Sequence, residues 1–152
     1  MHITVMDIED FLPKWHGVPM EDMASFFKFC IDNECRELSH EEYVEQAQRI
    51  GYITPERDKT YRLKTVFPVC KSIYEDGFNY RNIPNVIEGD CITNGRHRTS
   101  IMHALGVTTT PVLHVSDFQD YRASDDLLKE FFNSTCGEVF RASESYRLLS
   151  VR

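Results

Sequence analysis

Residues 91–100 read Cys-Ile-Thr-Asn-Gly-Arg-His-Arg-Thr-Ser, an apolar run that stops at an Asn-Gly turn and restarts with Arg96, His97 and Arg98. Ile101, Ala104 and Leu105 then repeat at helical spacing, and Gly106 stands where a left-handed C-terminal cap is wanted. The spacing predicts a helix over roughly residues 97–105, with Asn94-Gly95 as the turn before its first turn. A helix N-terminus carries unpaired N–H groups and about half a positive charge. Arg96 and Arg98 add forked donors whose geometry suits phosphate oxygens. Anion binding is the chemistry on offer, with phosphate as the natural ligand on Gly95, Arg96, His97, Arg98 and Thr99. A turn followed by solvated cations is the plainer account of the same residues.

Such a turn needs a strand before it and helices around it. Asn85-Val86-Ile87 and Cys91-Ile92-Thr93 flank Glu88-Gly89-Asp90 and predict a short hairpin whose second strand feeds Asn94-Gly95. Thr110 to Val115 reads as another strand, with Pro111 placing it near an edge or at its beginning. Upstream, Met23, Phe26, Phe27 and Cys30 mark one face of a helix over roughly residues 20–31. Ser39-His40-Glu41-Glu42 has the form of a capping box opening a second helix that ends before Gly51. Residues 54–58 read as a loop. Leu63, Val66, Phe67, Cys70, Ile73 and Tyr74 recur with a period near 3.6 up to Gly77, and Pro68 predicts that this helix begins close to it. Ser124 caps a last clear helix, and signals are weak from Cys136 onward. The expected fold is α/β of the α+β kind, a small mixed sheet with flanking helices. Residues 1–55 form a helical N-terminal extension on residues 56–152, the whole packed as one unit.

A chain of 152 residues suits one core, and 41% hydrophobic residues can fill it. No apolar run approaches the roughly 20 residues needed to span a bilayer, and the opening residues are acidic where a signal peptide is basic and then apolar. The expectation is a cytoplasmic protein with no membrane partner. Five cysteines without a regular framework point to reduced thiols, and no ligand spacing suggests a structural metal. A net charge of −7 argues against nucleic acid as a direct partner. The charge is segregated, however. Residues 61–115 carry six basic and four acidic side chains, whereas residues 1–60 carry six and thirteen. The positive segment holds the turn, which suits a small anion held locally on an acidic protein.

Residues 66–115 resemble the ParB/sulfiredoxin superfamily. Lys71-Ser72-Ile73-Tyr74-Glu75-Asp76-Gly77-Phe78 is similar to that family's Ser-Ile-x-x-x-Gly helix end. Ile92 to Arg98 is similar to its strand leading into a Gly-x-x-Arg box, Ala104-Leu105-Gly106 to the helix end that follows, and Thr110-Pro111-Val112 to the next strand. The resemblance implies a bound nucleotide, ATP, ADP or CTP with Mg²⁺, its phosphates on Gly95, His97 and Arg98, with Arg96 beside them and Ser72 reaching the same pocket. It implies phosphoryl transfer or nucleotide hydrolysis if there is turnover. Members differ in use: sulfiredoxin phosphorylates a sulfinic acid, ParB hydrolyses CTP as a clamp, and a free serine kinase transfers phosphate from ADP. Where sulfiredoxin has a nucleophilic Cys after the Gly, this chain has Arg96, and where most members place an acid before the Gly it has Asn94. Asn94 cannot act as a base, so the general base is unassigned; Glu88 and Asp90 are near in sequence, but acids at a hairpin tip are usually just solvated.

Two other readings share these residues. A cysteine phosphatase also sets Cys, Gly and Arg-Thr at a helix start, but its loop has five residues between Cys and Arg, and six separate Cys91 from Arg98. The alternative to an enzyme is a ligand-gated or host-factor-binding regulatory protein of phage or mobile-element type, with a protein partner. His40, His103 and His114 read as ordinary surface or core histidines.

Overall fold

The computed structural model describes residues 1–11, 14–15, 18–51, 55–87 and 91–151. In chain order the elements are β1 (His2–Asp7), β2 (Lys14–Trp15), β3 (Val18–Pro19), α1 (Met20–Asp32), α2 (His40–Arg49), α3 (Glu56–Asp76), β4 (Asn85–Ile87), β5 (Cys91–Asn94), α4 (Arg96–Ala104), β6 (Thr109–His114), α5 (Asp125–Asn133), α6 (Thr135–Arg141) and α7 (Glu144–Leu149). The fold is mixed α/β, as expected.

The hairpin strands pair antiparallel, and β4 also runs parallel to β6, giving a sheet in the order β1-β6-β4-β5. Glu88, Gly89 and Asp90, read as the hairpin tip, lie outside the described residues. Strand β6 is covered on both faces, since the adjacent Val112 and Leu113 point to opposite sides and both belong to the core, with Val86 and Ile92 of the hairpin. Helices α1, α3 and α4 pack on one another, with α2 against α3, while α5 and α6 pack against β1 and α7 against β6. Phe26, Phe27 and Leu63 join the sheet residues in one core cluster.

Four local expectations need correction. The helix read as beginning near Pro68 begins at Glu56 and runs through that proline. Pro68 is exposed, so the carbonyl that loses its partner can be solvated, and the buried stripe Leu63, Val66, Phe67, Cys70 and Ile73 outweighs the local cost. For the same reason residues 56–58 are helical rather than loop, while Thr54 lies outside the described residues. Residues 1–55 are not only helical: β1 pairs along its length with β6, from His2 opposite His114 to Asp7 opposite Thr109. Strand β6 is therefore interior. Its Pro111 is tolerated because pairing with β4 starts only at Leu113, whose N–H bonds Pro84 O at 2.8 Å, so two residues earlier no strand among the described residues waits on that side for the missing donor.

Capping chemistry sets the remaining boundaries. Ser39 and Glu42 form the capping box of α2, and Ser124 caps α5. The segment from Cys136 onward, weak in periodicity, holds most of α6 and all of α7, each started by a serine, Ser134 and Ser143, that accepts a first-turn N–H. These helices enclose a ring cluster in which Tyr80 meets Phe78, Phe132, Phe140 and Tyr146 at centroid distances of 5.3 to 6.1 Å.

Candidate anion site at the start of α4

Gly95 is the N-cap of α4, with φ +93° and ψ 21°. A side chain there would be strained, and its Cβ would stand 3.0 Å from Pro84 Cα. Glycine thus lets the entry to β4 lie directly against the turn. Asn94 closes the turn from the other side by accepting the Gly95 N–H on Oδ1 at 2.9 Å. The N–H groups that follow are those a helix leaves outside its own ladder.

The expected ligand residues do not play one role. Thr99 is fully buried and gives both its N–H and its hydroxyl to Gly95 O, each at 2.8 Å, so it ties the first turn together from behind. Arg96 folds back to donate from Nη2 to Ile92 O at 3.3 Å. Gly95, Arg96, His97 and Arg98, with Asn94, Thr93 and Val69 of α3, line a cleft of about 210 Å³. Ser72 is exposed on α3 and is not among the residues lining that cleft; Val69, three residues earlier, is.

Electrostatics make the cleft a cation-rich place. Arg98 Nε is buried and has no hydrogen-bond partner among the described residues. Such a donor costs free energy until an acceptor reaches it. Burial pulls the Arg98 guanidinium below its ordinary pKa, Asp120 opposes that, and Arg122 adds to it; the group remains charged. His97 is held down to about 4, by burial first and then by the charges of Arg62, Arg96 and Arg98. It is a neutral imidazole at pH 7, able to donate one hydrogen bond and accept another.

His97 and Val69 also line a second, larger cleft of about 560 Å³, with Tyr61, Arg62 and Val66. Tyr61 is 73% exposed and Val69 is 39% exposed, apolar surface next to charge. A depression of similar volume at residues 141–151 offers less, since its Arg147 is already paired with Glu144. Among the described residues no group of three or more His, Cys, Asp and Glu could hold a metal ion.

Three charged residues that no motif singles out act on this cleft: Arg62 on His97, and Asp120 and Arg122 on Arg98. Arg62 lies in the periodic α3 segment and could be found by projecting that helix; Asp120 and Arg122 come from the connection after β6 and carry no local signal.

Fold and site define a mixed α+β protein with a basic cleft at a glycine-capped helix start. Set against protein-family models, curated proteins and solved structures, the chain matches none. Among the described residues, no helix is long and apolar enough to cross a membrane.

Proposed function

We propose that this protein binds a nucleoside polyphosphate, ATP, ADP or CTP with magnesium, in the manner of the ParB/sulfiredoxin superfamily that its sequence resembles. The phosphates sit on the first turn of α4, with Arg98 as the main cation and His97 as a hydrogen-bond partner. The observation that carries this reading is the junction of two clefts. The 210 Å³ cleft is smaller than the roughly 300 Å³ typical of a small-molecule site, and it opens beside one of 560 Å³ that falls inside the usual range. A polyphosphate fits the first, and the flat, partly apolar nucleoside fits the second against Tyr61, Val66 and Val69. The chemistry such a site supports is phosphoryl transfer or nucleotide hydrolysis, in which positioning and electrostatics do most of the work.

Calorimetric titration of the protein with ATP, ADP and CTP in the presence of magnesium tests the reading, and at least one should bind. No binding by any of the three ends it. Phosphate release by the nucleotide that binds marks an enzyme, whereas binding without turnover favours a ligand-gated regulatory module.

A further inference from the structure

Among the described residues, the fold brings the Asp120 carboxylate from far along the chain to Asn94, which lines the 210 Å³ cleft; Asp120 lies behind that residue and not in the lining itself. Asp120 Oδ1 accepts a hydrogen bond from Asn94 Nδ2, while Asn94 Oδ1 accepts the Gly95 N–H. Carboxylate, amide and first helical turn are thus joined in series, and the Asp120 charge also acts on the Arg98 guanidinium. Asn94 cannot take up a proton, but the carboxylate it holds can.

The exposed connection that carries Asp120 is tied to the rest of the fold by side-chain hydrogen bonds. Asn85 is fully buried; its Oδ1 accepts the Tyr121 N–H at 2.9 Å and its Nδ2 donates to Tyr121 O at 3.0 Å. The Tyr121 hydroxyl donates to Asp117 Oδ2 at 2.8 Å, and the Gln119 N–H donates to Asp117 Oδ1 at 3.0 Å. Arg122 Nε donates to Asn82 Oδ1 at 3.1 Å, and the Ala123 N–H to Arg81 O at 3.0 Å. A buried asparagine spent on fixing a surface connection is costly unless the position of that connection matters.

Resting on the nucleotide reading, we propose that Asp120 is the general base of a nucleotide hydrolysis at this site. Water attacks the terminal phosphorus of the bound nucleotide and a new P–O bond forms. The bond from phosphorus to the bridging oxygen breaks, and its electron pair leaves with the shortened nucleotide. The proton of the attacking water passes to Asp120 Oδ2, while Arg98 and the first turn of α4 hold the phosphoryl oxygens. Asn94 orients the carboxylate through Oδ1, as a base is commonly oriented by a third group.

Asp120→Asn separates chemistry from scaffolding, because an amide oxygen still accepts from Asn94 but takes no proton. With ATP or CTP and magnesium, phosphate release by the variant should fall about 100-fold or more, the range for losing a general base. The dissociation constant should stay within about threefold, and Asp120→Glu should recover part of the rate. Wild-type rates in Asp120→Asn, or a loss explained by weakened binding, overturn the inference. So does a wild-type protein that binds nucleotide without releasing phosphate, which leaves the nucleotide reading standing. A wild-type protein that binds none of ATP, ADP and CTP ends both.

Discussion

The Cβ that Gly95 lacks would lie 3.0 Å from the Cα of Pro84, a backbone atom that cannot swing aside. The turn before α4 and the entry to β4 are therefore closed on each other by the absence of a side chain. Gly95→Ala combines positive-φ strain with this close contact and should cost about 2 kcal/mol. Urea titration followed by far-ultraviolet circular dichroism should show a lowered midpoint with a near-native spectrum before the transition.

Arg98 is the cation whose loss should be felt most by a ligand and least by the fold. Its Nε has no hydrogen-bond partner among the described residues, and its burial is a cost that an anion would offset. Arg98→Ala should weaken nucleotide binding by about 10- to 100-fold, the value of one or two charge-assisted hydrogen bonds, with the thermal midpoint little changed. Calorimetry and a melting curve on the same sample check both halves.

His97 makes the protein acid-sensitive in a defined window. Its imidazole titrates near 6.5 when unfolded and at about 4 when folded, so between those values the unfolded chain binds the extra proton. Stability is complete above about pH 6.5, falls as pH drops, and has lost about 3 kcal/mol from this group by pH 4. Melting temperature against pH should fall less steeply for His97→Gln. A bound phosphate reverses part of the shift, so the His97 imidazole signal in an NMR titration should move to higher pKa when nucleotide is added.

Asn85 couples stability to the site. Asn85→Ala leaves the Tyr121 N–H and carbonyl without the side chain that holds them, and should cost about 2–4 kcal/mol. At a temperature where the variant is still folded, amide hydrogen exchange should quicken across residues 117–121 more than in β4.

Thiol labelling should divide the cysteines. Cys30, Cys35 and Cys70 are buried, and the thiols of Cys30 and Cys35, then burial, push the Cys70 thiol far up; Cys136 is exposed. A maleimide added to native protein, followed by peptide mapping, should mark Cys136 quickly and those three only on unfolding.

Much of the framework is legible because its signals are local. Ser39 and Glu42, Ser124, and the Asn94-Gly95 turn each announce a helix start within four residues. The course of α3 is harder to read, because what carries the helix past Pro68 is tertiary burial of its stripe and not local preference. Strand β1 hides in an acidic opening segment, since its identity is settled by β6, far away in sequence. The cleft itself is half legible. Gly95 to Arg98 are visible by motif, whereas Asp120 reaches Asn94 across 26 positions and depends on Asn85 for its placement. Such long-range geometry leaves no trace in spacing.

The seam between β1 and β6 also sets a timetable for biogenesis. Thr4 and His114, hydrogen-bonded at 2.7 Å, are 110 positions apart. At about 5–20 residues per second, the first strand leaves the ribosome on the order of ten seconds before its partner is made. Until then its edge is an open template, and the short, mixed-polarity His2–Asp7 segment must wait without pairing to another nascent chain.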